Sequence, residues 1–451
     1  MKVTIGIVGI LVLLAVVSTA CRMGGGPEQA PDEARGRLKL YMIAGDEFER
    51  AIAAPLRAKF PHIEVERTGF HVPDQGIGLT GTGNAGQHYL VPDYGLSTVS
   101  LDEPDLFIVK LGSLPWLERL GYALDLKNYI GHFGNMKQDR FDPALTELIR
   151  ASGNGKTIAL PYARSVTALF YNKPLFDMMQ IPYPHDNMTW DEVADLALKF
   201  RGTVNGAPLY GIKLDVGLML SQLSVTWSDA ETDKYAGQAD NIRTVVELAR
   251  RMEKATDPSG PASLDEMIAM HANRDFLVRN RGSFDFDMVA FPSFRQAPGI
   301  GPAPQGLAIV VNPHSRQINA ALRIADYLVS DEFQTEQAKE GFPPYIDGGT
   351  ALVDPEIRQW DAGGLIRGKH VKAAAATAYP TFTAFGKFEA YVWPFGPFGE
   401  IFGFGAAAGS TSALDDDGRV KAIEQFAALQ LDQYRVRANA NEGGTPTAPG
   451  H

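Results

Sequence analysis

Few residue patterns in this chain could carry out chemistry. Residues 81–86 (GTGNAG) have the spacing of a dinucleotide-binding loop, but they neither follow a confident strand nor open a clear helix. Residues 415–418 (DDDG) lack the alternating spacing of a calcium loop. The nine histidines show no paired zinc spacing, and there is no Walker A string. The sequence therefore predicts no cofactor, no metal site and no ATP hydrolysis by this chain.

The single cysteine, Cys21, lies directly after an N-terminal apolar run. Residues 3–17 are almost wholly apolar, and the small residues 18–20 come immediately before the thiol. This order resembles a bacterial lipoprotein signal, whose cysteine is lipidated after cleavage, although Ser18 stands where a large aliphatic residue is usual. An uncleaved membrane anchor and an ordinary secretory signal are the alternatives. We expect a signal peptide over residues 1–20, lipid attachment at Cys21 and an extracytoplasmic, membrane-anchored location.

Composition limits the partners and the organisation of the remainder. The chain has 451 residues, long enough for two lobes with separate cores, and a net charge of -11 that disfavours nucleic acid as a partner. With one cysteine, an internal disulfide is impossible, so stability must come from packing. Residues 21–37, rich in glycine, proline and charge, are predicted to be a flexible tether, and residues 438–451 a disordered tail.

Between these ends, the hydrophobic pattern alternates between strand and helix. Strands are predicted at residues 38–43, 63–67 and 105–109, and residues 48–60 carry a helical stripe that Pro55 should kink or restart. This order indicates a mainly parallel sheet, with binding expected at the carboxyl ends of its strands.

The centre of the chain has the most specific pattern. Residues 156–160 and 166–171 predict a hairpin-like pair of strands. Thr189 and Glu192 form a capping box in front of a strong helical stripe, so a helix is predicted to begin there.

Four short motifs occur here in a fixed order: Gly155-Lys156, Leu160-Pro161-Tyr162, Tyr171-Asn172-Lys173 and Thr189-Trp190-Asp191-Glu192. In this order they resemble the family 1 extracellular solute-binding proteins of ABC importers. Residues 114–130 and 306–345 are also similar to that family, and the similarity extends over about residues 38–437.

The resemblance implies an α/β, two-lobed periplasmic-binding-protein fold. Each lobe would be a mainly parallel sheet flanked by helices, and the chain would cross between the lobes three times. Lobe 1 would comprise residues 38–158 and 289–335, and lobe 2 residues 159–288 and 336–437. A ligand in the cleft would bridge the lobes and stabilise a closed state.

The resemblance also implies ligand-binding residues at strand ends, just beyond the hinge and in an aromatic stretch near the C-terminus. They are Asp46, Glu47, Lys110, Tyr162, Arg164, Asn273, Arg274, Trp227, Phe385 and Trp393. Carboxylates there would accept hydrogen bonds from sugar hydroxyls, and aromatic rings would pack on the flat faces of sugar rings.

Several of these residues also fit a purely structural role. The alternatives are a helix cap for Asp46, a solvated rim charge for Lys110 and an ion pair for Arg164. Core packing is the alternative for Trp227 and is favoured for most rings of residues 379–393. His271 is predicted to be a partly buried histidine outside the ligand's reach.

The predicted function is ligand capture without chemistry. We expect a monomeric, lipid-anchored subunit, not an enzyme, that delivers a sugar or oligosaccharide to the transmembrane permease subunits of an ABC importer. A surface carbohydrate-active enzyme is one alternative, because distant carboxylates could converge. A ligand-sensing surface lipoprotein is another. Arg164, Arg274, Lys110 and His71 leave room for an acidic sugar or another anion.

Overall fold

The computed structural model describes most of the chain between residues 36 and 442. The described residues are 36–42, 48–68, 104–119, 121–165, 167–229, 232, 234–257, 266–272, 284–304, 306–340, 348–350, 368–380 and 414–442.

Six strands form the larger sheet: β1 (Gly36–Met42), β2 (Ile63–Arg67), β3 (Leu106–Lys110), β4 (Leu160–Ser165), β11 (Gly306–Val311) and β12 (Gly348–Thr350). Their order across the sheet is β12-β4-β11-β3-β1-β2. β1 pairs in parallel with β2 and β3, whereas β11 runs antiparallel to β3 and β4, and β12 runs antiparallel to β4.

Four strands form the smaller sheet: β5 (Leu169–Asn172), β8 (Tyr210–Leu214), β9 (Ile268–Ala272) and β10 (Phe286–Val289). The order is β10-β5-β9-β8, and only β8 and β9 are parallel. A two-residue pair, β6 (Thr203–Val204) and β7 (Ala207–Pro208), stands apart. Both sheets are therefore mixed, where the sequence analysis expects mainly parallel ones. The alternation of strands and helices predicts parallel pairing only for strands joined by a crossover helix. β10 and β11 each pair with strands far away in the sequence and run antiparallel to them.

Ten helices lie in the described residues: α1 (Ala54–Lys59), α2 (Leu114–Arg119), α3 (Pro143–Ser152), α4 (Lys173–Met179), α5 (Trp190–Ala197), α6 (Val216–Gln222), α7 (Ala239–Met252), α8 (Ile318–Leu328), α9 (Asp331–Glu340) and α10 (Asp416–Glu442). The predicted capping box begins α5: the Thr189 side chain accepts from the Glu192 N–H, and the Glu192 carboxylate accepts from the Thr189 N–H. Pro55 restarts the helical stripe, because a π-helical turn ends at Ala53 and α1 begins at Ala54. None of the helices among the described residues is long and apolar enough to cross a membrane.

The larger sheet is buried on both faces. Leu40 and Ile108 pack with Leu322 of α8 on one face. Phe107 lies in the cluster on the other face, together with Leu145 of α3. Side chains alternate across a strand, so helices on both sides explain why β3 and β11 are almost continuously apolar.

The smaller sheet packs on α5, α6 and α7. Ile212 and Met270 share a buried cluster with Val193 of α5 and Val245 of α7. Helix α10 contacts α7 and adds its own apolar stripe to the same cluster. α10 begins at Asp416, and the Asp415 carboxylate accepts a hydrogen bond from the Gly418 N–H in its first turn, so residues 416–418 are helical.

The predicted hairpin at residues 156–171 is wrong. β4 pairs with β11 and β12 in the larger sheet, whereas β5 pairs with β9 and β10 in the smaller one. Local alternation identifies two adjacent strands but not their partners, which are here more than 90 residues away. The predicted lobe boundaries stay a prediction.

Candidate functional site

One edge of the larger sheet brings together the ends of three strands. β3 and β4 are both antiparallel to β11, so they run in the same direction and end on the same side as β1. In register, Lys110 lies opposite Leu307, while Arg164 lies opposite both Gly306 and Gly349. We call this side the carboxyl edge of the larger sheet. Because one strand separates β3 from β4, Lys110 and Arg164 begin about 10 Å apart.

One edge of the smaller sheet is built in a similar way. β8 and β9 end side by side, with Leu214 opposite Ala272. Immediately after β8, the Asp215 carboxylate accepts a hydrogen bond from the Leu218 N–H and caps α6. β5 begins at this edge, because its Phe170 pairs with His271 in the antiparallel direction.

The chain holds the two edges close together. β4 ends at Ser165 and β5 begins at Leu169, and four Cα–Cα steps span at most about 14 Å. A second connection, from Val289 to Gly306, joins β10 to β11. Carboxyl ends of strands are where open α/β sheets bind their ligands, so the space between the two edges is the candidate site.

Arg164 is held in place by groups of the protein itself. Its Nη1 donates to Asp142 Oδ2 at 3.2 Å and to the Tyr379 hydroxyl oxygen at 2.7 Å. Asp142 in turn caps α3 by accepting from the Ala144 N–H. The Arg164 and Asp142 side chains are only 15% and 7% exposed. Arg164 therefore forms the structural ion pair that the sequence analysis gave as the alternative to ligand binding.

Tyr162 and Trp227 lie in the packed interior. The Tyr162 ring is buried against Phe333, and burial raises the pKa of its phenol, which stays neutral at physiological pH. Trp227 is buried in the cluster that joins the smaller sheet to α6 and α7. Lys110, by contrast, is exposed at the carboxyl edge of the larger sheet.

A buried charge pair, which the sequence reasoning missed, lies beneath the edge of the smaller sheet. Lys213 Nζ is 3.5 Å from Asp257 Oδ2, with both side chains almost fully buried. His271, opposite Lys213 on β9, is wholly buried, and burial together with the Lys213 charge lowers its pKa to about 3. His271 is thus a neutral structural residue and is more deeply buried than predicted. The sequence signal for this pair was Lys213 itself, a charged residue inside the otherwise mostly apolar strand β8.

The remaining candidates lie outside the described residues. They are Cys21, Asp46, Glu47, Asn273, Arg274, Phe385 and Trp393. In the sequence, residues 43–47 come directly after β1 and residue 273 directly after β9, and both strands end at the edges described above. Among the described side chains, no group of three His, Cys, Asp or Glu residues could hold a metal ion.

The profile of the bacterial extracellular solute-binding proteins matches residues 97–335, just over half of the chain. The chain belongs to this family. The resemblance predicted from the central motifs is thereby confirmed, and membership in an extracellular family places the protein outside the cytoplasm. A comparison with curated proteins gives no significant match.

Solved structures confirm the two-lobed α/β fold. An ABC substrate-binding protein of Listeria monocytogenes in complex with cycloalternan has a TM-score of 0.62 and 15% identity, covering 88% of this chain and 99% of its own. A Rhizobium etli sugar transporter in an open conformation has a TM-score of 0.62 and 20% identity, covering 87% and 99%. The lacto-N-biose complex of a Bifidobacterium longum ABC-transporter binding protein has a TM-score of 0.60 and 18% identity, covering 90% and 99%.

Proposed function

We propose that this solute-binding protein is the carbohydrate-binding subunit of an ABC importer. It captures a sugar or oligosaccharide between the two sheet edges and presents the closed lobes to the permease. Family membership carries the proposal, together with one feature of the fold. The short connection from β4 to β5 holds the strand ends of the two sheets close together, so that one ligand can contact both. The ligands named for the similar structures are saccharides and support a carbohydrate for this chain.

The described carboxylates at the two edges favour binding over hydrolysis. Asp142 caps α3 and pairs with Arg164, and Asp215 caps α6. A glycosidase needs one carboxyl group that donates a proton and another that stabilises the developing charge. Carboxylates already used as helix caps are poor candidates for either role.

We assign the ligand contacts to the two edges. Lys110 projects from the first, and the proposal adds Asp46 and Glu47 after β1, Asn273 and Arg274 after β9, and the rings of Phe385 and Trp393. A neutral saccharide is favoured, because the Arg164 charge is balanced by Asp142. An acidic sugar is the alternative that Lys110 and Arg274 support.

We further propose that residues 1–20 are removed, that Cys21 carries the lipid, and that residues 21–37 tether a monomeric binding body to the membrane. The chain crosses three times between lobes. Mass spectrometry of the N-terminal peptide from the native host tests the anchor, since an unmodified Met1 terminus contradicts it.

A thermal-shift screen of the purified full chain tests the function. The panel contains cycloalternan, lacto-N-biose, mannobiose, D-mannitol and galacturonate, with amino acids as a comparison class. A ligand that binds only the folded state stabilises it by about 2.7 kcal/mol at a hundredfold excess over its dissociation constant. We expect one saccharide class to raise the Tm and to be recovered intact. Recovery of cleaved sugar indicates the carbohydrate-active enzyme, and a shift with amino acids alone contradicts the proposal.

A matched pair of lysine variants locates the site. Lys110→Ala should weaken saccharide binding by roughly 10- to 150-fold, because a hydrogen bond to a charged group is worth roughly 1.5–3 kcal/mol. Lys199→Ala is the control, since Lys199 is exposed just after α5, away from both edges. Equal affinities of the two variants would place the ligand elsewhere.

A further inference from the structure

Residues 368–380, which we call the strap, lie along the smaller sheet. Lys369 pairs with Asp285, the residue before β10, and the His370 N–H donates to Asp287 of β10 at 2.8 Å. The 3₁₀ segment Val371–Ala375 then contacts β10. The first half of the strap is therefore fixed to the smaller sheet.

The second half of the strap reaches the connection between the two sheets. Ala378 donates its N–H to Gly299 O at 2.9 Å and accepts from the Gly301 N–H at 2.7 Å. The fit there is tight, because a Cβ on Gly301 would lie 2.2 Å from Thr377 Oγ1. The next residue, Tyr379, is thus carried to the point where the chain passes from one sheet to the other.

From that position Tyr379 reaches the larger sheet. Its hydroxyl oxygen accepts a hydrogen bond from Arg164, at the carboxyl end of β4. The bond joins a strap fixed to the smaller sheet with a strand of the larger sheet, one residue before β4 ends. A contact in this place resists a change in the angle between the sheets.

Arg164 is suited to such a contact because it is held from the opposite side. The two hydrogens of Nη1 go to different partners, Asp142 and Tyr379. Asp142 is itself fixed by capping α3, and its carboxylate balances the charge of the guanidinium. A charge-assisted bond from a preorganised donor is stronger than one from a mobile side chain.

We propose that the Arg164–Tyr379 hydrogen bond is a strut that sets the separation of the two sheet edges, so that Arg164 is a positioning residue of the cleft. The inference deepens the proposed function, because the cleft between these edges is its ligand site. The strut itself requires no ligand. Its effect on the edges can therefore be measured whether or not a saccharide is found.

Pulsed electron paramagnetic resonance between spin labels on the two sides tests the strut in the ligand-free full chain. One label is placed at Ala58→Cys on α1, beside the larger sheet, and the other at Lys199→Cys, beside the smaller sheet; both positions are exposed. The chain has a single native cysteine, so Cys21→Ser gives a clean background.

Tyr379→Phe removes only the hydroxyl. We expect its distance distribution to move away from that of the unsubstituted chain by more than the width of the latter. The control is Tyr183→Phe, which also loses one hydroxyl hydrogen bond, donated to Asp177 at an exposed position on the smaller-sheet side. Its distribution should superimpose on that of the unsubstituted chain. A Tyr379→Phe distribution that also superimposes overturns the proposal.

Substitutions at Arg164 separate positioning from a general loss of stability. Arg164→Lys keeps a charged donor and should shift the distance less than Arg164→Met. The double variant Arg164→Met/Tyr379→Phe should shift it no further than the larger single change, because both remove the same bond. Additive shifts contradict the strut. If Arg164→Met fails to fold, Tyr379→Phe alone decides. A chain that binds no saccharide contradicts the proposed function and leaves these distances unaffected.

Discussion

The substitution Gln222→Met should be among the most destabilising conservative changes in the described part of the chain. Gln222 ends α6 and is 2% exposed. Its Oε1 accepts from Trp190 Nε1 at 2.9 Å, and its Nε2 donates to Pro292 O at 2.7 Å and to Ile300 O at 2.8 Å. One side chain thus satisfies three groups, two of which lie in the connection from β10 to β11.

The expected cost follows from those three bonds. Each buried polar group left without a partner costs about 1–3 kcal/mol. The Trp190 and Pro292 bonds are buried, whereas the Ile300 bond is partly exposed, so water can replace it. Two orphaned groups give about 4 kcal/mol, and the apolar methionine side chain recovers roughly 1 kcal/mol by its own burial. The free energy of unfolding should fall by about 3 kcal/mol.

Urea unfolding followed by far-ultraviolet circular dichroism measures this loss. The matched control is Gln317→Met, which removes one exposed bond, from Gln317 Nε2 to Arg37 O. That variant should lose less than about 1 kcal/mol. If Gln222→Met costs no more than the control, the three-bond account of Gln222 is wrong.

Two further predictions concern backbone packing and pH. Gly211→Ala should lower the free energy of unfolding by about 2 kcal/mol, because a Cβ there would lie 2.0 Å from the Ala197 carbonyl oxygen. The control is Gly112→Ala, because a Cβ at Gly112 would have no atom within 4 Å. Equal urea midpoints for the two variants would refute the argument. The Lys369 hydrogen bond holds the pKa of Asp285 below its usual range, so the carboxylate stabilises the fold above about pH 3.9 and loses this effect as the pH falls through the lowered value. The stability advantage over Asp285→Asn at pH 7 should therefore shrink in acid, and an advantage that stays constant would contradict the assignment.

Local signals predicted the elements whose boundaries depend on neighbouring residues. The strand at residues 63–67 matches β2, and the Thr189 capping box begins α5 as expected. Pro55 marks the restart of a helical stripe. For the capping box and the Pro55 restart the decisive contact lies within four residues, whereas β2 is recognised from its own alternation although its partner β1 lies more than 20 residues earlier.

Local sequence patterns could not predict the contacts between residues that are distant in the sequence. The partners of β4 follow it by more than 140 residues, and its alternation pattern is the same whichever strand it joins. The Arg164 pairings to Asp142 and Tyr379 span 22 and 215 residues. The sequence motifs identified Arg164 as a residue of interest at the hinge, but only the fold reveals that its partners are protein groups.

A crystal structure of the full chain with the saccharide that gives the largest thermal shift tests the central claim most directly. The account predicts an intact sugar between the two sheet edges, in contact with Lys110 or residues 43–47 on one side and with residues after β9 on the other. A sugar bound to the outer face of a single sheet, or found cleaved, would contradict it.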